Sequence, residues 1–232
     1  MSPSHVAPAE RSDLSAGRRV WGWIREILIV LGSALVLSLL LKTFVFQSFW
    51  IPSGSMENTL QVRDRILVSL WRPGPLDLRH GDVVVFRDPG GWLGPTSEPV
   101  PTGVAKGWNE FATFVGLLPQ DAGEHLVKRV IGLPGDTVAC NTADDKVTVN
   151  GVELVENYIK PGTESCSHAW EATVPEGRLW VLGDNRSNSA DSRAHRGDPG
   201  GGMVPIDNVV GTAFVTVWPL DHWKMLDNPY PG

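Results

Sequence analysis

Three short segments hold most of the residue types from which a hydrolytic site can be built. The first, Ile51-Pro52-Ser53-Gly54-Ser55-Met56, sets two serines on either side of a glycine. The second runs from Val127 to Asp136 (Val-Lys-Arg-Val-Ile-Gly-Leu-Pro-Gly-Asp) and puts Lys128 and Arg129 inside an apolar run. The third, Gly183 to Arg193, reads Gly-Asp-Asn-Arg-Ser-Asn-Ser-Ala-Asp-Ser-Arg. A serine nucleophile needs a base to remove its proton. None of the six histidines stands in a triad context, and the Gly-x-Ser-x-Gly elbow is missing. Lys128 is the candidate base, because burial disfavours the ammonium and lowers its pKa toward neutrality. Strand alternation puts Lys128 and Arg129 on opposite faces, so one of them points to the core. Arg129 keeps its proton and suits an ion pair. Taken alone, Lys128 matches the commoner pattern of a strand lysine whose stem is buried while the amine snorkels.

The third segment reads either as a polar turn or as a loop locked by bidentate pairs among Asp184, Arg186, Asp191 and Arg193. The Asn185-Arg-Ser187 sequon and the Arg196-Gly-Asp198 tripeptide are short enough to be chance. Neither Cys-x-x-Cys nor His-Glu-x-x-His occurs, so no metal site is indicated and no cofactor is implied.

The elements that must hold these segments follow from how charge is distributed. The chain has 232 residues, 20 basic against 26 acidic, and a net charge of −6. That length suits one domain with an appendage, and the mildly acidic balance argues against nucleic acid as the main partner. Residues 27–56 contain a single charge, Lys42. Ile27 to Leu41 is apolar all round, unlike the stripe of a core helix, and Lys42 can snorkel from near the helix end. Trp21 and Trp23 before the run, with Phe49 and Trp50 after it, fall where an interfacial aromatic belt belongs.

A cleaved signal peptide is disfavoured, because the small-x-small site nearest the run is Ser53-Gly54-Ser55, directly after Pro52. Four arginines precede the span (Arg11, Arg18, Arg19, Arg25), whereas only Lys42 lies in the twenty residues after it. The positive-inside bias then keeps the N-terminus in the cytoplasm and sends the rest outside. The division expected is a tail at 1–23, a transmembrane anchor at 24–46 and an extracytoplasmic catalytic domain at 47–232. Val209 to Trp218 is apolar but too short for a second span.

The exported part reads mainly as β. Arg65–Leu70, Asp82–Phe86, Leu126–Ile131, Arg178–Leu182 and Val210–Trp218 are rich in β-branched residues. Lys146 to Leu154 is a hairpin with Asn150-Gly151 at its turn. An insertion at about 89–123, rich in Gly and Pro, reads as a long surface excursion covering the sheet. Cys140 and Cys166 are disulfide candidates in an oxidising compartment, or free and buried.

Together the three segments resemble the signature boxes of bacterial type I signal peptidases, the Ser/Lys-dyad proteases that cut signal peptides from exported proteins. The resemblance runs in order from the anchor to about Trp218, and the single anchor, Cys pair and insertion are similar to actinobacterial versions. It implies an antiparallel β-sheet catalytic domain behind one N-terminal membrane helix, cleaving after Ala-x-Ala-like sites through an acyl-enzyme. It also implies preprotein substrates, a phospholipid membrane and proximity to the export translocase.

Carried onto this chain, it makes Ser55 the nucleophile and Lys128 the general base. Ser53 joins the Ser55 backbone N–H in the oxyanion hole, and Ser189 orients the lysine. Arg129, Asp184, Asp191 and Arg193 brace the site. Phe49, Ile51, Pro52, Met56, Leu60 and Val127 line shallow substrate pockets. Ser187 departs from the pattern, standing where the box often carries Asp, and residues 194–202 are a looser version of the usual stretch. Self-cleaving repressor-type Ser/Lys proteases carry a DNA-binding domain where this chain has a span. A catalytically dead export subunit is expected to have lost Ser55 or Lys128, and both are present.

Overall fold

A computed structural model describes residues 13–74, 76–93 and 125–230; the rest of the N-terminal tail and the greater part of the insertion lie outside the described residues. The chain divides into two units with the boundary between Leu41 and Lys42. The first is most of helix α1, Asp13–Phe44. Within it, Arg19–Leu40 is long and apolar enough to cross a membrane, with a mean hydropathy of 2.0. Its apolar side chains are exposed all round, Leu28 at 61%, Leu31 at 61% and Val36 at 57%. A helix of that kind has no protein core to face and takes hydrocarbon as its solvent. The protein is single-pass and membrane-anchored.

Among its described residues the second unit is mainly β, with short 3-10 turns. Its strands are β1 (Phe46–Trp50), β2 (Arg65–Ser69), β3 (Val83–Arg87), β4 (His125–Gly132), β5 (Thr137–Asn141), β6 (Lys146–Val149), β7 (Val152–Glu153), β8 (Trp170–Thr173), β9 (Arg178–Leu182), β10 (Val204–Pro205), β11 (Val209–Trp218) and β12 (Lys224–Met225). The larger sheet runs β1-β2-β11-β3-β4-β9-β10, with β12 added to β11; the smaller runs β7-β6-β5-β8. Every pairing is antiparallel.

The expected strands recur with ends shifted by a residue or so. Asn150 and Gly151 both take positive φ, 53° and 79°, as a two-residue turn of this hairpin requires. Phe46, expected inside the anchor, instead opens β1, where it pairs with Ser69. Chain direction changes at Val45 although apolar composition does not. Phe49 differs from its expected interfacial place: it is 1% exposed, in the core with Ile66, Val68 and Val85.

A second cluster joins the two sheets, with Trp170 against Trp180 (ring centroids 5.2 Å apart) beside the Cys140–Cys166 disulfide. That bond closes a 26-residue separation. Removing such a crosslink releases about 3–4 kcal/mol of denatured-state entropy on the chain-entropy account. Reduction, or Cys140→Ala with Cys166→Ala, is therefore expected to lower the chemical-denaturation midpoint clearly while leaving the fold in place. The check is a pair of urea titrations with and without reductant.

Candidate active site

β4 lies between β3 and β9, so both of its edges are paired, and from Lys128 to Gly132 its residues are buried whichever face they take. That changes the expectation for Lys128 and Arg129. They do face opposite ways, Lys128 beside Val84 and Arg129 between Val83 and Leu182, yet each is 2% exposed. Neither amine nor guanidinium snorkels to water.

On one face, Lys128 Nζ donates to Ser55 Oγ at 2.7 Å and to the Val127 carbonyl at 3.0 Å. Ser55 sits in a single 3-10 turn, Gly54–Met56, and is 8% exposed. Burial pulls the Lys128 ammonium down to about 8, against the opposing pull of Asp191 and Asp184. A lysine so placed is neutral in roughly a tenth of its population at pH 7 and in half of it near pH 8, and the neutral form can accept the serine proton. Ser53 Oγ lies 3.4 Å from Ser55 Oγ on the exposed side of the turn.

On the other face, Arg129 makes a two-pronged pair with Asp184, Nε to Oδ1 at 2.9 Å and Nη2 to Oδ2 at 2.6 Å. Its Nη1 donates to the Gly81 carbonyl at 2.8 Å. Asp191 and Arg193 form a second two-pronged pair, at 2.9 and 2.8 Å, and Asp191 also accepts the Gly183 N–H. Burial disfavours charge on Asp191, but Arg193 and that N–H hold its carboxyl below the usual range. Loss of one partner from such a buried pair strands the other charge, at about 3–5 kcal/mol. These pairs lock the third segment as a loop rather than an ordinary polar turn.

The loop also holds the nucleophile directly. Asn185 N–H donates to the Ser55 carbonyl at 3.0 Å, and Asn185 Nδ2 donates to the Gly54 carbonyl at 2.9 Å. Sequence reasoning passed over Asn185, although its place directly after Asp184 was the available signal. It also missed two partners remote in the chain: Glu156, which pairs with the buried Arg186, and Thr59, whose hydroxyl donates to Asp184.

The Ser189 hydroxyl is buried beside Gly183 and close to the Asp191 carboxylate, which it helps to hold ionised, while the two acceptors of Lys128 are Ser55 and Val127. Of the expected pocket residues, Pro52 is exposed and Val127 half-buried. Ile51, Met56 and Leu60 join Phe49 in the core beneath the turn, each 2% exposed or less. Among the described residues no group of three or more His, Cys, Asp or Glu is placed to hold a metal ion.

The family described as signal peptidase, peptidase S26, matches residues 21–218. Signal peptidase I of Mycobacterium tuberculosis is 39% identical over 97% of this chain and 80% of its own length. The probable signal peptidase I of Mycobacterium leprae is 38% identical over 87% and 78%. Signal peptidase I of Leptolyngbya laminosa is 34% identical over 89% and 85%.

Proposed function

Because the chain belongs to the signal peptidase family, peptidase S26, we propose that Ser55 and Lys128 are the dyad with which it removes signal peptides from exported preproteins. The observation that carries the assignment is the 2.7 Å contact between Lys128 Nζ and Ser55 Oγ at a buried site. The neutral amine takes the hydroxyl proton as Ser55 Oγ attacks the scissile carbonyl. The oxyanion that forms is held by the Ser55 backbone N–H and the Ser53 hydroxyl. The lysine ammonium then protonates the departing amine, leaving the signal peptide esterified to Ser55. Water, deprotonated by the same amine, releases it. Ser189, whose hydroxyl is buried between Gly183 and Asp191, supplies the further acceptor that steadies Lys128 through these transfers.

The substrate is cut after small-x-small sequences, because a shallow apolar floor tolerates Ala, Gly or Ser and rejects larger side chains. The arginines before the span support an N-terminus in the cytoplasm and a catalytic unit outside, in reach of preproteins emerging from the export translocase. The division into tail, anchor and catalytic domain belongs to the same reading, with the anchor ending before Phe46, which opens β1.

The test is incubation of the detergent-solubilised protein with a preprotein, followed by sequencing of the new N-terminus. A cut elsewhere than after a small-x-small site removes this reading. The same assay run across pH reports the base. The rate is expected to rise about tenfold per pH unit in acid and level off near pH 8, as Lys128 loses its proton. A flat profile from about pH 5 to 9 rules out a lysine base. Lys128 also affects stability: unfolded, it keeps its proton up to its ordinary value of 10.5, and folded it does not above about 8. Its contribution to stability therefore rises with pH across that window.

A further inference from the structure

The sequence contains two tyrosines against ten tryptophans, and both tyrosines meet behind the Arg129–Asp184 pair. The Tyr158 ring lies under the Arg129 guanidinium, 4.1 Å from carbon to centroid. Tyr230 meets Tyr158 edge to face, with the two hydroxyls 3.1 Å apart, and its hydroxyl reaches the Val155 carbonyl at 3.1 Å. We propose that Asn228, Pro229 and Tyr230 form a clamp that fixes Arg129 and Asp184 from behind, with Tyr230 and Tyr158 as positioning residues for the dyad. This inference rests on the Ser55–Lys128 reading above.

The clamp grips the peptide that holds the guanidinium. Arg129 Nη1 donates to the Gly81 carbonyl, and Gly81 has φ +83°. A Cβ on Gly81 would lie 2.5 Å from Asn228 Oδ1, 2.8 Å from Tyr230 Cδ2 and 3.0 Å from Pro229 Cδ. Asn228 Nδ2 donates to the residues on either side, the His80 carbonyl and Asp82 Oδ1, both at 2.8 Å. Asn228 Oδ1 accepts the Tyr230 N–H at 2.8 Å, which sets the bend of the segment.

From Arg129 the path to the nucleophile is short and bonded throughout. Asp184 takes both prongs of the guanidinium, and the next residue, Asn185, holds the Ser55 carbonyl. A second branch leaves Tyr158, whose carbonyl accepts from Asn58 at 2.9 Å, three residues beyond Ser55. A clamp that only closed the domain would have no reason to converge on the charged pair bound to the nucleophile's loop.

The test compares full-length parent, Asn228→Ala/Tyr230→Ala, Tyr230→Phe and Lys128→Ala in preprotein cleavage, well below their melting temperatures. The double variant is expected to lose kcat by about tenfold per folded molecule with KM within about twofold, the pattern of a misplaced catalytic group. Tyr230→Phe keeps its ring on Gly81 and is expected to stay within about threefold of parent. If the double variant fails to fold, Asn228→Ala alone carries the expectation, at about a threefold loss of kcat. A parental kcat, a change confined to KM, or an activity loss matched by loss of folded protein overturns the clamp. Lys128→Ala separates the two readings. Its continued activity would remove the dyad, whereas a silent Lys128→Ala beside a fully active double variant removes only the clamp.

Discussion

Lys128→Ala is expected to slow preprotein cleavage by about 10³-fold or more while leaving the protein folded. A positioned general base supplies about 10²–10⁴ in rate, and among the described residues the side-chain hydrogen bonds of Ser55 Oγ are to Lys128 Nζ at 2.7 Å and Ser53 Oγ at 3.4 Å, the second of which is no base. Ser55→Ala is expected to be more severe, about 10⁴–10⁶, and the double variant no worse than Ser55→Ala alone, because the two groups perform one step. Lys128→Arg restores charge and length without a removable proton, so it is expected to remain silent. The fold survives because Lys128 is a liability when charged: burial opposes its ammonium, and its removal deletes that cost along with some stem packing. Thermal melts of the purified variants against parent, beside N-terminal sequencing of any product, separate chemistry from folding. Parental processing by Lys128→Ala sinks the assignment.

Gly183→Ala is expected to cost about 10²-fold in kcat although it adds a single methyl. That carbon would lie 2.2 Å from Ser189 Oγ, 2.6 Å from Ser189 Cβ and 2.5 Å from the Ser55 carbonyl oxygen. A hydroxyl can rotate away, but the Ser189 Cβ and the Ser55 carbonyl cannot. Gly183 N–H is also bonded to Asp191, so the loop cannot retreat without breaking the buried pair behind it. Displacement of the nucleophile turn by about 1 Å carries a penalty of that order, and overpacking costs about 1–3 kcal/mol of stability. The check is kcat at saturating preprotein with the folded fraction measured alongside. A variant within threefold of parent shows that the turn has slack this packing denies it.

What was legible in the sequence was local, and what was hidden was long-range. β-Branched runs such as Val83–Phe86 and the Asn150-Gly151 turn announce themselves because their pattern is set by immediate neighbours. β1 was obscured because Phe46-Gln-Ser-Phe-Trp continues the apolar character of the anchor, and only pairing with β2 makes it a strand. β8 carries one strongly apolar residue, Trp170, and exists by pairing with β5. Alternation correctly separated Lys128 from Arg129, but it could not say that both faces of β4 are covered, since that depends on remote segments, the Ser55 turn over one and Asp184 with Tyr158 over the other. The pocket residues were legible by type only. Phe49, Met56 and Leu60 are apolar because they lie beneath the site, and burial depth has no one-dimensional signature. Glu156, thirty residues from Arg186, had no mark at all.

The bonds that assemble the dyad are spaced widely along the chain. Lys128 and Ser55 are 73 residues apart, Arg129 and Asp184 are 55, and Asn185 and Gly54 are 131. Contacts of that separation form late, after the loop-closure entropy between them has been met by the rest of the sheet. A partly synthesised or partly exported chain that presents Ser55 without residues 183–193 has an ordinary serine whose carbonyl is unheld, and a lysine still in water and fully charged. On that reading the chain is silent until residues 183–193 have docked on the nucleophile turn. Docking of that segment would serve as the activation step.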